Sequence, residues 1–197
     1  MLEQRFRNIY QKIFIDPIIN LASKYLKSIW VTIASGIAGV AIIPLLVYGH
    51  NLWAIGLLLV SGFLDTLDGS IARHQNSSSN VGGALDIFTD RVVEGLVILG
   101  LFLVDPSRSF LCLLMFFANS LCVTAFLVVG VFVEQESDKS FFYHNGLMER
   151  TEAFIFFGLM MLIPEYFNPL AYIYTFLVIL TALLHVRYFI KWDNTQP

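Results

Sequence analysis

Long apolar blocks alternate with short polar segments along most of this chain. A helix that crosses the hydrocarbon of a bilayer needs about 20 predominantly apolar residues. Three of the six blocks reach that length alone, and the second and third reach it only if their helices extend into the acidic segment between them. The fifth block is short, and its helix is expected to begin near Gly146. The pattern predicts six transmembrane helices, built on residues 29–48, 52–64, 92–104, 109–133, 151–163 and 169–190.

The predicted fold is an all-α integral membrane protein in which an N-terminal amphipathic helix precedes the six spans. Residues 1–28 form the juxtamembrane segment, residues 29–192 the transmembrane domain and residues 193–197 a short C-terminal tail. The first segment mixes apolar and basic residues, as expected of a helix that lies in the membrane interface. A helix packed on the cytoplasmic face of the membrane domain is the alternative. Pro17 is expected to break or start a helix there, because it lacks a backbone donor.

Composition agrees with a membrane protein and excludes other classes. The chain is 57% hydrophobic and 14% charged, whereas soluble domains are about 45–50% apolar and about 25% charged. A net charge of −3 without a basic run argues against a nucleic-acid partner. Cys112 and Cys122 lie about 15 Å apart on one helix, too far to bridge, so both are expected to pack as small apolar side chains.

The distribution of lysine and arginine predicts the orientation in the membrane. Basic residues precede the first span and then occupy every second connection and the C-terminal end, as the preference of positive charge for the cytoplasmic side requires. Arg108, between the third and fourth spans, is the exception. Both termini and the acidic segment are therefore expected to be cytoplasmic. The basic residues that follow this pattern are Arg5, Arg7, Lys12, Lys24, Lys27, Arg73, Lys139 and Lys191.

The segment between the second and third blocks is unusually acidic for its apolar surroundings. Only Arg73 and Arg91 offer positive charge nearby. A buried carboxylate without a partner is costly, so it neutralises or finds a counter-charge. Another source of positive charge is therefore expected close to the four aspartates, Asp65, Asp68, Asp86 and Asp90.

The first aspartate pair shares one helical face. Asp65 and Asp68 are three residues apart, which makes them neighbours on a helix surface. Gly69 and Ala72 lie on the same side, and their small side chains leave open space beside the carboxylates. This face is suited to binding a ligand.

The second pair predicts a metal site. Asp86 and Asp90 are four residues apart, with Gly82 one turn earlier, and the polar loop 74–80 lets their helix fold back beside the first. Four adjacent carboxylates would repel one another unless cations lie between them. Mg²⁺ and Mn²⁺ prefer oxygen ligands, and a two-metal pair is suited to displacement at a phosphate. Carboxylates that merely face water at the membrane surface are the alternative.

These residues resemble the signature of the CDP-alcohol phosphatidyltransferase family. Eight specified residues match at fixed spacing across 26 positions, and the six-helix hydropathy extends the resemblance over most of the chain. The matching pattern is Asp65-x2-Asp68-Gly69-x2-Ala72-Arg73-x8-Gly82-x3-Asp86-x3-Asp90.

The resemblance implies an enzyme that moves a phosphatidyl group from CDP-diacylglycerol to an alcohol and releases CMP in phospholipid biosynthesis. Two divalent ions, Mg²⁺ or Mn²⁺, would bind the aspartates, and Asp90 would also take the proton of the acceptor hydroxyl as general base. An arginine beside the diphosphate offers planar, bidentate donors. The implied metal ligands are Asp65, Asp68, Asp86 and Asp90. The implied nucleotide and diphosphate contacts are Gly69, Ala72, Arg73 and Gly82.

The acceptor alcohol is the open part of the prediction. Glycerol 3-phosphate or inositol phosphate is favoured over serine, because Arg150 and Arg187 lie at the cytoplasmic ends of the fifth and sixth spans. The "GLMER" stretch is similar to the inositol-phosphate-using branch of the family. The alternatives are that Arg150 is a solvated charge offset by the neighbouring glutamates and that Arg187 extends to the lipid headgroups. One departure from the phosphate-using members is Val123, where they tend to carry a basic residue three positions after a serine such as Ser120.

Two other functional classes also use membrane aspartates. A membrane prenyltransferase binds a diphosphate through aspartates and Mg²⁺, but it would leave the glycine, alanine and arginine positions unexplained. A cation transporter would place its carboxylates near the bilayer midplane, whereas these lie beside a cytoplasmic loop. The family resemblance further implies a homodimer, and a bacterial inner membrane is the expected location.

Overall fold

The described part of the protein is built entirely from helices. A computed structural model describes residues 10–134 and 146–195. A π-helical turn at Gln11–Ile15 leads into the first α-helix, and 3₁₀ turns at Pro106–Arg108 and Pro164–Tyr166 precede α5 and α7. The α-helices are α1 (Asp16–Tyr25), α2 (Ser28–Val47), α3 (Asn51–His74), α4 (Asn80–Val104), α5 (Ser109–Glu134), α6 (Arg150–Leu162) and α7 (Phe167–Asp193).

Four of the six predicted spans are confirmed by length and apolar character. These are α2, α3, α5 and α7, the last two together with the 3₁₀ turns before them. Helix α4 is long enough but carries four charged residues, Asp86, Asp90, Arg91 and Glu94. Helix α6 has 13 residues, fewer than the roughly 20 that cross a bilayer. The expected extension of the second and third helices through the aspartates is confirmed, since α3 contains Asp65 and Asp68 and α4 contains Asp86 and Asp90.

The start predicted for the fifth helix near Gly146 is wrong, because contacts with α7 hold the preceding residues in a non-helical conformation. The Met148 amide donates a 2.9 Å hydrogen bond to Oγ1 of Thr181. Gly146 packs so closely that an added Cβ would lie 2.5 Å from the Thr181 methyl group. Helix α6 therefore begins at Arg150, at a position set by α7.

The main packing contacts form a closed ring of six helices. The order around the ring is α2, α3, α6, α7, α5 and α4. Each helix packs against the next one, and α4 closes the ring by packing against α2. The two motif helices, α3 and α4, are thus held by α2 between them. Helix α6 packs against α3 and brings its first residue, Arg150, to the aspartates of both motif helices.

Small and hydroxyl side chains allow α2 to approach both motif helices. Ser35 donates a 3.0 Å hydrogen bond to the Ser61 carbonyl oxygen, and Ser61 donates one of 3.2 Å to the Ser35 carbonyl oxygen. On the other side, a Cβ added to Gly39 would lie 2.7 Å from Cγ2 of Val93. Helix α2 therefore fixes the separation of the motif helices.

We expect Gly39→Leu to destabilise the fold and to misalign the site, because a bulky side chain would push α2 away from Val93 on α4. Overpacking of this kind typically costs about 1–3 kcal/mol. Thermal unfolding in detergent would measure it. Gly56→Leu on α3 is the matched control, since nothing lies within 4 Å of a Cβ added there. Equal melting temperatures for the two variants would contradict the proposed role of α2.

The N-terminal segment packs on the end of the membrane domain. Ile15 and Ala22 are buried in a small cluster with Val31, Leu67 and Ile71, and Pro17 lies in the first turn of α1 as predicted. Several apolar side chains of the same segment are exposed, including Ile13, Phe14, Ile18, Leu21 and Tyr25. The packing agrees with the alternative of a helix on the domain face, and insertion into the membrane interface stays a prediction.

Arg108, the exception to the predicted distribution of positive charge, has an ion-pair partner and an aromatic contact close by. Nε of Arg108 lies 3.2 Å from a carboxylate oxygen of Asp105, and its guanidinium lies 4.4 Å from the centre of the Phe167 ring. Hydrogen bonds from Ser107 hold the pKa of Asp105 below its usual value, which favours the ionised partner. The orientation itself stays a prediction, because Arg5, Arg7 and Lys139 lie outside the described residues.

Candidate active site

Three of the four predicted carboxylates converge in the structure. Asp65 and Asp68 on α3 and Asp86 on α4 each offer an oxygen, and these three oxygens all lie within 4.8 Å of one another. The i, i+3 spacing brings the first two together on one helical face, and the packing of both helices on α2 brings in the third.

The cluster has the properties of a divalent-ion site. Oδ1 of Asp65 and Oδ1 of Asp86 are buried and have no hydrogen-bond partner among the residues that the structure describes. Such oxygens are costly unless a donor or cation satisfies them. A set of carboxylate oxygens suits hard ions such as Mg²⁺ and Mn²⁺. The residues present therefore fit a metal, while the identity and number of the ions stay predictions.

Thr32 of α2 orients one of these carboxylates, and the sequence analysis missed it. Its hydroxyl donates a hydrogen bond to Oδ2 of the buried Asp68. This bond fixes the orientation of the Asp68 carboxylate within the cluster. The signal was present as polar residues at helical spacing in an apolar span, with Ser28, Thr32 and Ser35 along one side of α2.

Arg150 supplies positive charge that the sequence alone could not locate. Its Nη1 forms ion pairs with Oδ2 of Asp65 and, at 2.7 Å, with Oδ1 of Asp90. The guanidinium carbon also lies 5.1 Å from the centre of the Phe154 ring, one turn along α6. A cation at the start of α6 thus joins the fourth carboxylate to the other three.

The predicted nucleotide-binding residues lie on the same two helices as the aspartates, α3 and α4. Arg73 is exposed, and its Nη2 donates a 3.1 Å hydrogen bond to Oγ of Ser70. A Cβ added to Gly69 would lie 3.4 Å from Nη1 of Arg73 and would meet no other atom in contact range. Gly82 lies in the first turn of α4, where its amide donates to the capping Ser79 hydroxyl. Ala72 is half-buried on α3. A Cβ added to Gly82 would lie 3.3 Å from Oγ of Ser79, and the role of all four positions in binding stays a prediction.

Arg187, the second predicted acceptor residue, is not brought to the cluster. It is exposed near the end of α7 and forms no ion pair with another described residue. Of the two arginines named from the sequence, only Arg150 contacts the aspartates.

The juxtamembrane segment touches the motif helix beside Arg73. Nε2 of Gln11 donates a 3.2 Å hydrogen bond to Oγ of Ser70, the same oxygen that accepts from Arg73. The sequence offered no signal for this contact, because it joins residues 59 positions apart.

A second polar cluster lies one turn further along α4. Arg91 Nη2 lies 2.8 Å from Oε1 of Glu94, so its ion pair is with this glutamate rather than with one of the four aspartates. The residue lines a cleft that also contains Arg150, Asn119 and Tyr174. Cys122 lies in the same cleft, and both cysteines are free, as predicted.

Comparison with known proteins connects this geometry to one family. Residues 28–190 match the model of the family described as CDP-alcohol phosphatidyltransferase. The chain is 31% identical over 156 residues to the inner membrane protein YnjF of Escherichia coli strain K12, covering 75% of each chain. It is 34% identical over 101 residues to the archaetidylinositol phosphate synthase of Methanothermobacter thermautotrophicus, a match that covers 51% of this chain and 50% of that protein.

A solved structure has a similar fold. The Mycobacterium tuberculosis phosphatidylinositol phosphate synthase, crystallised with CDP-DAG bound, aligns with a TM-score of 0.67. The match covers 92% of this chain and 94% of that one, at 20% sequence identity. At this identity the likeness concerns the fold.

Proposed function

The chain belongs to the CDP-alcohol phosphatidyltransferase family, and we propose that it transfers a phosphatidyl group from CDP-diacylglycerol to a phosphorylated alcohol with release of CMP. It is an integral membrane enzyme that transfers substituted phosphate groups in phospholipid biosynthesis. Family membership argues against the prenyltransferase and transporter alternatives. The observation that carries the proposal is the convergence of Asp65, Asp68 and Asp86 from two helices that bear the complete family motif.

The aspartate cluster is the proposed metal and diphosphate site. Asp65, Asp68 and Asp86 would hold two divalent ions, Mg²⁺ or Mn²⁺, with Asp90 contacting one of them. Such ions, when bound, neutralise diphosphate charge and polarise the oxygens at the reacting phosphorus. Arg73 would bind the diphosphate, and Gly69, Ala72 and Gly82 would leave room for the nucleotide. The solved neighbour with CDP-DAG bound supports this choice of donor substrate.

Asp90 is the proposed general base. Its carboxylate would accept the proton of the acceptor hydroxyl, and the hydroxyl oxygen would form a bond with the phosphorus that carries diacylglycerol. The bond from that phosphorus to the bridging oxygen would break, and CMP would leave with the bonding electrons. Arg150 supports this role because it holds Asp90 beside the metal-binding carboxylates, at 2.7 Å.

Glycerol 3-phosphate or inositol phosphate is the favoured acceptor. Arg150 lies at the site and offers donors for a phosphate. The archaetidylinositol phosphate synthase among the similar proteins supports the same preference. Helix α5 carries Val123 where related enzymes tend to have a cation, so Arg150 would be the main phosphate contact, with the exposed Arg187 contributing only if it turns inward.

The proposed setting is a bacterial inner membrane, with the site and both termini on the cytoplasmic side and two copies of the chain forming a homodimer. The diacylglycerol tails would then stay in the hydrocarbon while the headgroup reaches the aspartates. The similarity to an inner membrane protein supports this location.

The proposal is tested by measuring CMP released by the purified protein in detergent. CDP-diacylglycerol is supplied with Mg²⁺ or Mn²⁺ and with glycerol 3-phosphate, inositol phosphate, inositol or serine. We expect release only with metal and mainly with a phosphorylated acceptor, and EDTA should abolish it. Release with serine alone would contradict the acceptor class, and the absence of metal-dependent release with every acceptor would contradict the proposed activity.

A further inference from the structure

A chain of polar side chains, in which Glu94 and Tyr174 are buried and Asn119 is half-buried, links three helices near the aspartate site. Glu94 follows Asp90 by one turn of α4 and is 3% exposed. Its Oε1 pairs with Arg91 at 2.8 Å, and its Oε2 accepts a 3.2 Å hydrogen bond from Nδ2 of Asn119 on α5. Oδ1 of Asn119 in turn accepts a 2.8 Å hydrogen bond from the Tyr174 hydroxyl on α7.

This network borders a cleft that is connected to the proposed base through Arg150. The cleft lies inside the helix ring and is lined by residues from α4, α5, α7 and the start of α6. Arg150 lines it and also contacts Asp90. A molecule in this cleft would therefore lie beside the carboxylate that is proposed to take the acceptor's proton.

A network that only held the helices together would not need to line a cleft. Three helices could be joined at lower cost by apolar packing, since a buried ion pair is often no more stabilising than apolar side chains of similar volume. Ionisable groups inside a membrane protein usually face a cavity and mark a functional site. Here Glu94, Asn119 and Tyr174 all line the same cleft.

We propose that this cleft binds the non-reacting hydroxyl groups of a polyol acceptor and that Glu94, Asn119 and Tyr174 determine acceptor specificity. The inference rests on the proposed function and deepens it. The Glu94 carboxylate has about four lone-pair sites, and its two protein contacts leave some for hydroxyl donors. Asn119 and Tyr174 add amide and phenol groups, which both donate and accept. Glycerol 3-phosphate keeps a single further hydroxyl once one has reacted, whereas inositol phosphate keeps several, so three hydrogen-bonding side chains fit the cyclic polyol phosphate.

Conservative variants test the assignment by steady-state kinetics of CMP release. In Tyr174→Phe and Asn119→Leu we expect the KM for inositol phosphate to rise about tenfold, the change expected when hydrogen bonds to a substrate are lost. The KM for CDP-diacylglycerol should stay within twofold, because the aspartate site is untouched. Tyr172→Phe is the matched control, since Tyr172 is an exposed tyrosine on the same helix, and it should leave both KM values unchanged.

A further variant tests the cleft without removing any hydrogen bond of the polar network. Cys122→Phe adds bulk to the lining and should block turnover of inositol phosphate, while CDP-diacylglycerol still raises the melting temperature as in the wild type. This variant keeps the test decisive if the polar variants unfold.

The outcomes separate this inference from the proposed function. Wild-type CMP release with unchanged inositol phosphate kinetics in Tyr174→Phe, Asn119→Leu and Cys122→Phe would overturn the cleft assignment alone. Wild-type release with glycerol 3-phosphate but not inositol phosphate would also overturn it. A wild-type protein that releases no CMP with any acceptor would overturn the proposed function and this inference with it.

Discussion

Asp90→Asn is expected to lower the rate of CMP release by about 10²–10⁴-fold, the usual contribution of a general acid or base. Asparagine has nearly the same size as aspartate but cannot accept the acceptor's proton. The measurement is kcat at saturating CDP-diacylglycerol and acceptor, with Mn²⁺ raised until the rate no longer increases. At saturating metal, a rate that is still low reflects lost proton transfer, because weakened metal binding has been overcome by the high Mn²⁺ concentration.

Asp193→Asn is the control for this variant, because Asp193 is an exposed aspartate at the end of α7. It should retain wild-type turnover. A rate in Asp90→Asn within a few-fold of wild type would remove Asp90 from the chemistry, and the base would have to be sought among the other residues near Arg150.

Arg150→Met should be the most destabilising single change at the site in the absence of metal. Its removal leaves Asp65 and Asp90, whose side chains are 17% and 19% exposed, without their guanidinium partner. Breaking a buried pair from one side costs about 3–5 kcal/mol, so in EDTA the melting temperature should fall by roughly 10 °C. Saturating Mn²⁺ should restore more stability to this variant than to the wild type, because the ion returns the missing positive charge.

Arg187→Met is the matched control, since Arg187 is exposed and makes no ion pair with another described residue. It should melt like the wild type, with or without Mn²⁺. An equal Mn²⁺-induced shift in wild type and Arg150→Met would show that metal binding and the Arg150 ion pairs do not share the same carboxylates.

Local spacing made the aspartate faces predictable. Whether Asp65 and Asp68 share a face depends only on helical geometry, and the same holds for Asp86 and Asp90. The sequence also predicted which helices carry these pairs, because the neighbouring apolar blocks were too short to form spans without them. The family motif then connected the spacing to a known chemistry.

Partners across the ring were not predictable in the same way. Arg150 lies 60 positions from Asp90 along the chain, and its pairing depends on where α6 starts. That start is set by the Met148 bond to Thr181 on α7, so no local pattern near Gly146 could reveal it. The sequence could recognise Arg150 as a cation at membrane depth but could not identify its partners.

Isolated polar residues inside apolar blocks carried the weakest signal. Glu94, Asn119 and Tyr174 each interrupt a different hydrophobic segment, and each alone resembles a tolerated polar position. Their meaning appears only when α4, α5 and α7 bring them together. Thr32 is similar, because its partner Asp68 lies on another helix.

The placement of Arg150 also has a consequence for how the protein is made. All four carboxylates reside on α3 and α4, whereas the guanidinium that pairs with Asp65 and Asp90 begins α6. A ribosome therefore delivers the acids to the membrane well before it has synthesised the residue that compensates them. Until then water or ions must surround these groups, and a chain that stalls before Met148 would retain them as an uncompensated cluster. Such unfinished chains would be the natural substrates of membrane proteases and chaperones, since incomplete folding exposes the groups that the finished core conceals.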